Sequence, residues 1–235
     1  MGDPGSSPRI PAKEPAGRAH NADAARKAIL DAAEAVFAEH GYDGARIDII
    51  AARSGYNKSL IFSYFSDKLN LYAAVIRRAD DMTRMIQEPM LAKLLNENLS
   101  DPAGLKELLR VFIGQYFDFM VANPNFMRIL NWELAEGWQT YGKILTERDF
   151  QDLDDFGPIL SQIAKGGLLH SKYHPMAQLM IAIFVNHTYL GILPFFKMFL
   201  PDYDAQSGEG LAQAREFIIE FITHGLIADP EEKKT

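Results

Sequence analysis

Arg46-Ile47-Asp48-Ile49-Ile50-Ala51-Ala52-Arg53-Ser54-Gly55-Tyr56-Asn57-Lys58-Ser59-Leu60-Ile61-Phe62-Ser63-Tyr64-Phe65 is the stretch that decides the reading of this chain. Ile47, Ile50 and Ala51 recur at helical spacing and predict a short helix over about 46–53 with those side chains inward. Gly55 suits a tight turn, because glycine enters the left-handed region without steric cost. Asn57 is a good N-cap for a further short helix that runs to Tyr64. Two short helices joined by a glycine-containing turn form a helix-turn-helix, whose second helix can enter a DNA major groove.

Upstream, Ala25, Ala28, Ile29, Ala32, Ala33, Val36 and Phe37 form one apolar face of a first helix. Asn21 can cap its start and Gly41 can end it. Downstream, Ser66 or Asp67 caps a long fourth helix with Leu69, Tyr72, Val75, Ile76 and Ala79 inward, and Pro89 must kink or end it. Asp101-Pro102 opens a fifth helix and Asn123-Pro124 a sixth. A seventh spans roughly 143–165 up to Gly166-Gly167, Pro175 opens an apolar eighth, and the last runs from about Leu211 to Leu226. Strict two-residue alternation is missing, so the fold is all-α with about nine helices.

The residues carry more than periodicity. Ala28-Ile29-Leu30-Asp31-Ala32-Ala33, Phe37-Ala38-Glu39-His40-Gly41-Tyr42-Asp43-Gly44, Ile50-Ala51, Ser54-Gly55-Tyr56-Asn57-Lys58-Ser59 and Tyr64-Phe65-Ser66-Asp67-Lys68 follow one another in this order. Together, over about residues 24–76, they resemble the TetR/AcrR family of bacterial transcription regulators. The resemblance implies that Lys58, Ser59, Leu60, Ser63 and Tyr64 face DNA, with Arg46 and Lys68 on phosphates. Lys and Arg there supply salt-dependent affinity, while groove-facing side chains read bases. Three positions depart from the family pattern: Ala45 and Leu60 stand where threonine is common, and Phe62 where tyrosine is common. The cap of the second helix is weaker for it, and Leu60 can make only apolar contact.

Charge and composition narrow the classes. Residues 1–70 hold nine Lys+Arg and nine Asp+Glu, while the other 165 hold 15 against 22, so the net −7 lies wholly in the second part. A strongly basic non-specific binder is excluded. With no cysteine there is no disulfide framework, Cys-ligated zinc or thiol nucleophile. No apolar leader is seen, which fits a cytoplasmic protein. Met1-Gly2-Asp3-Pro4-Gly5-Ser6 meets only the bare myristoylation pattern. Tyr173 to Phe196 lacks Asp, Glu, Lys and Arg and is long enough to span a bilayer. Asn186-His187-Thr188 at its middle favours a core helix instead, with no membrane partner. In the tail, Arg9, Lys13 and Arg18 either reach DNA or are simply solvated.

For the second part, the resemblance implies a cavity for a small hydrophobic or aromatic effector. Phe112, Tyr116, Phe126, Phe156 and Phe184 are candidate walls, with Asn186 and His187 as polar anchors or as satisfied core residues. Ile218, Phe221 and Ile222 on the last helix are expected in a homodimer interface. His170 and His174, with Asp149, Asp152, Asp154 and Asp155, are read as surface residues over a metal site. Glu133 and Glu136 are read as a solvated face. No catalytic motif occurs, so no enzyme, metal or cofactor is expected. The expected organisation is a tail at 1–20, a helix-turn-helix domain at 21–66 (motif about 46–65), a ligand-binding and dimerisation domain at 67–228, and a tail at 229–235. The expected function is a ligand-responsive regulator, a repressor released from a palindromic double-stranded operator by its effector. The alternative is a helical ligand-binding or scaffold protein that has lost operator binding.

Overall fold

The computed structural model describes residues 16–96, 102–145, 157, 161, 163, 169 and 173–227. Among them are nine helices and no strand, only an isolated bridge between Leu169 and Ile227. They are α1 (Ala16–Gly44), α2 (Ile47–Ser54), α3 (Lys58–Phe65), α4 (Lys68–Asn96), α5 (Pro102–Ala122), α6 (Pro124–Ala135), α7 (Gln139–Ile144), α8 (Pro175–Phe199) and α9 (Gly208–Leu226). The all-α expectation holds.

Several boundaries differ. α1 begins at Ala16, so Asn21 lies inside it and does not cap it. No proline follows Pro15 to interrupt Ala16–His20, which shortens the expected tail. Gly41 breaks α1 without ending it: at φ 66° it turns the chain, and helix resumes to Gly44. α4 passes through Pro89 and α8 through Pro194. Both prolines are exposed, where water can serve the carbonyl each leaves unpaired. Asn123 does not cap α6 with its side chain; its Nδ2 donates to the Phe119 carbonyl at 2.8 Å and closes α5 instead. The segment expected as a helix over 143–165 falls mostly outside the described residues.

The apolar faces merge into one core running from Ile29 on α1 to Leu226 on α9. α1 packs on α2, α4 and α6, and α5 lies against α4, α8 and α9. α1 is further tied by Arg53, which donates to both Glu39 carboxylate oxygens at 2.7 and 2.6 Å. Arg78 of α4 reaches back to Asp31 at 2.6 Å and to Glu34.

Where α1, α4, α6 and α7 meet, polar groups are buried together. The Tyr72 hydroxyl donates to Glu133 Oε1 at 2.5 Å, and the Tyr141 amide donates to Glu133 Oε2 at 3.0 Å. Glu133 is only 1% exposed, which corrects its reading as a solvated residue. A buried carboxylate is tolerable when its lone pairs are filled, and both oxygens here accept a hydrogen bond. Tyr72 also meets Phe37 and Tyr42 edge-on, at 4.9 and 5.2 Å. From the residue before Glu133, Trp132 Nε1 donates to the Ala38 carbonyl at 3.3 Å. Its ring lies 3.0 Å from where a Cβ on Gly41 would stand, so the break in α1 requires glycine twice over.

Tyr72→Phe keeps the ring and deletes only the bond to Glu133. Hydrogen bonds to charged groups contribute about 1.5–3 kcal/mol, so urea unfolding should shift by that amount. An unchanged unfolding midpoint would contradict the assignment.

Candidate nucleic-acid interface

The α2–α3 corner is built by local rules. Gly55, at φ 77°, closes α2 in the left-handed region, and its N–H donates to the Ala51 carbonyl at 3.1 Å. Asn57 Oδ1 accepts from the Leu60 amide at 2.9 Å and caps α3. Ile50 on α2 and Ile61 and Phe65 on α3 are buried in the common core, where α2 packs on α1 and α3 lies between α2 and α4. No side chain caps α2, whose N-cap is Arg46.

This packing decides what α3 offers to solvent. Lys58, Ser59, Phe62 and Ser63 are exposed, while Leu60 and Tyr64 are half-buried. Tyr64 also packs against the core, so only part of its ring is presented. Six of the seven proposed DNA-facing residues therefore gather at one corner: Arg46 at the start of α2 and the five on α3. Lys68 stands apart in its role. It is half-buried, lies 4.6 Å over the Tyr42 ring and donates to the Asp43 carbonyl at 3.3 Å. Burial lowers its ammonium pKa, and Asp43 partly offsets that. Asp67 caps α4 beside it, Oδ1 accepting from the Asn70 amide at 2.7 Å.

Sequence reasoning passed over Asp48. It pairs with Lys58, and Arg46 lies 3.4 Å from its other oxygen. The Lys58 hydrogen bond first, and Arg46 after it, hold the Asp48 carboxyl below its ordinary value. An acid ten residues before a lysine gives no local signal; only the fold of the corner brings them together.

The expected effector residues are scattered. Phe112 stacks on Tyr116 at 6.5 Å, while Phe126 meets Phe119 edge-on at 6.0 Å. Phe112 and Phe126 are buried in the common core. Phe184 lies 5.6 Å from Trp138 and 6.4 Å from His187. Phe156, His170 and the four aspartates at 149, 152, 154 and 155 lie outside the described residues; His174 is exposed. Asn186 and His187 are each 1% exposed. Asn186 donates to the Ala182 carbonyl at 3.2 Å, but among the described residues its Oδ1 and both His187 nitrogens meet no partner. Burial pushes the His187 pKa down, toward the neutral ring. A recess of about 260 Å³ opens elsewhere, beside Leu193, Lys197, Tyr203 and Asp204.

On α9, Ile218 and Ile222 are 2% and 4% exposed, inside the protomer's own core, which corrects their assignment to a partner interface. Phe217 and Phe221, 63% and 60% exposed, stack on each other at 6.1 Å on an adjoining face. On α8, Ile181, Phe195, Met198 and Phe199 are likewise exposed. Among the described residues α8 is the one helix long and apolar enough to cross a membrane, at a mean hydropathy of 1.7.

Lys58→Ala should weaken binding to every duplex and flatten the dependence of log affinity on log salt by about one unit. Anisotropy titrations at several salt concentrations read this directly. An unchanged affinity would remove α3 from the interface.

Residues 29–75 match the family described as bacterial regulatory proteins, tetR family. Among curated proteins, the chain is 34% identical over 118 residues to the HTH-type transcriptional repressor SCO4008 of Streptomyces coelicolor, covering 50% of this chain and 54% of that one. It is 32% identical over 108 residues to the HTH-type transcriptional activator FasR of Mycolicibacterium smegmatis, covering 46% of each. The match thus spans about half the length of these curated relatives. Among solved structures, a TetR family transcription regulator from Marinobacter aquaeolei superposes with a TM-score of 0.61 at 18% identity, covering 90% of this chain and all of that one, which supports the fold.

Proposed function

The chain belongs, through residues 29–75, to the tetR family of bacterial regulatory proteins, and from that premise we propose that it regulates transcription as a twofold dimer that leaves a palindromic operator when a small hydrophobic effector binds. The observation that carries the reading is the α2–α3 corner, whose buried Ile50, Ile61 and Phe65 turn Lys58, Ser59 and Ser63 outward together. In the dimer, two such α3 helices stand roughly 34 Å apart, one helical turn of duplex, and enter successive major grooves. Phosphate contacts from Arg46 and Lys58 set the register, and Lys68 joins them only by leaving Asp43. Relatives named as a repressor and as an activator leave the direction of control to the operator's position.

The dimer follows from exposed apolar area. Phe195 and Phe199 on α8, and Phe217 and Phe221 on α9, are exposed ring pairs of a kind that a soluble monomer rarely leaves open. A second copy presenting the same rings covers them with C2 symmetry. Phe221→Asp should give a folded monomer by sedimentation. Ile222→Asp, a charge placed in the core, should instead lower stability. A Phe221→Asp chain that stays dimeric would exclude this face.

The effector reading is supported by buried polar groups of α8 that find no partner among the described residues. Leaving buried donors and acceptors unmade costs about 1–3 kcal/mol each, so Asn186 and His187 favour a molecule able to serve them. With His187 held neutral, that molecule is an uncharged or weakly polar hydrophobic compound, not a polyanion. By linkage, its binding weakens DNA binding only as far as it prefers the released conformation. Mobility shifts with genomic fragments test the whole reading. A few discrete fragments should be retained at raised salt and lost in Lys58→Ala, and compounds that raise the melting temperature should release them. Uniform, salt-labile retention of all fragments would favour a helical binding protein without an operator.

A further inference from the structure

One carboxylate sits among the cations of the interface. Asp48 pairs through Oδ1 with Lys58 on the neighbouring helix and through Oδ2 with Arg46 at 3.4 Å. Lys58 is the single charged residue on α3, whose other positions are Ser59, Leu60, Ile61, Phe62, Ser63, Tyr64 and Phe65. Asp48 therefore touches both basic groups of the α2–α3 corner that stand free for phosphate. Its place in the first turn of α2 suits the helix dipole, which explains an acid there. The dipole does not explain the reach across the corner to Lys58. Nor does stability, since all three groups are exposed and pairs of that kind add little to folding.

Building on the DNA-binding reading above, we propose that Asp48 is a specificity-determining residue. It holds Lys58 and Arg46 in place for a matched site and suppresses their indiscriminate attraction to phosphate. On a random duplex nearly all affinity comes from cations that displace condensed counterions. A carboxylate at ion-pair distance from two such cations removes part of that attraction and itself repels the backbone. On a matched site the base contacts of α3 add energy that does not depend on charge. There a Lys58 already held by Asp48 loses less side-chain freedom on docking. Asp48 thus costs random binding more than matched binding, and widens the ratio between them.

The low charge of this part of the chain fits that role. Residues 1–70 balance nine Lys+Arg against nine Asp+Glu. A binder of this kind cannot rely on bulk attraction, so placement of its few cations decides what it binds.

The test compares the full-length wild type with Asp48→Asn and Asp48→Glu. Anisotropy is read on a random-sequence duplex and on one recovered by selection, across a range of salt. At a contact distance in water, one unit charge is equivalent to about five-fold in affinity. Asp48→Asn should therefore bind random duplex about five-fold tighter, with a salt slope steeper by up to about one unit. Its gain on the selected duplex should be smaller, so the ratio falls. Asp48→Glu, which keeps the charge, should stay near wild type. Unchanged or weaker random binding by Asp48→Asn, or an unchanged ratio, overturns the proposal. A wild type that prefers no sequence overturns the regulator reading and this one with it; a preference that survives Asp48→Asn intact overturns this one alone.

Discussion

The buried Glu133 carboxylate, held by the Tyr72 hydroxyl and the Tyr141 amide, is the interaction on which the remaining geometry turns. It joins α4 to α6 and α7 at the point where α6 also grips the break in α1 through Trp132. α4 starts at Lys68, directly after α3, so the angle of α4 sets where α3 points. Buried hydrogen bonds of this kind do not stretch gradually: removing one donor leaves an acceptor unsatisfied and costs about 1.5–3 kcal/mol. The junction is therefore made or broken, which is the kind of element that turns a small shift into a discrete change.

A second constraint is electrostatic. Few cations face the solvent at the α2–α3 corner, and Asp48 engages two of them. Lys68, meanwhile, is occupied by Tyr42 and Asp43 in the free chain. An exposed pair gives way to a phosphate at little cost, whereas Lys68 must leave a ring face and a carbonyl. The three cations are thus unequal: Arg46 and Lys58 are exposed and restrained only by Asp48, whereas Lys68 is restrained by a ring face and a carbonyl.

Much of this was legible from sequence where the cause is local. The Asn57 cap, the Gly55 turn and the inward Ile50 all follow from side chains within a few residues of one another. Long-range pairings were not legible. Glu133 looked like an ordinary polar position on α6, and one of its two partners, Tyr72, lies 61 residues away. Tyr72 held the one available hint, because a hydroxyl on an apolar face needs an acceptor. On α9 periodicity failed for another reason. Both faces of the helix carry large apolar residues, so spacing cannot separate Ile218 and Ile222, which fill the core, from Phe217 and Phe221, which face outward. Nor could it tell that Gly41 is a break within α1, since that depends on Trp132 arriving from α6.

In the proposed function, two copies of this chain read duplex DNA through paired α3 helices. Selection of bound sites from a pool of random duplexes, followed by measurement of the mass of the complex, tests it most directly. The account predicts an inverted repeat whose half-site centres lie about ten base pairs apart, or a multiple of that, bound by an even number of chains. Recovery of no common sequence, or of a single asymmetric site bound by one chain, would contradict it.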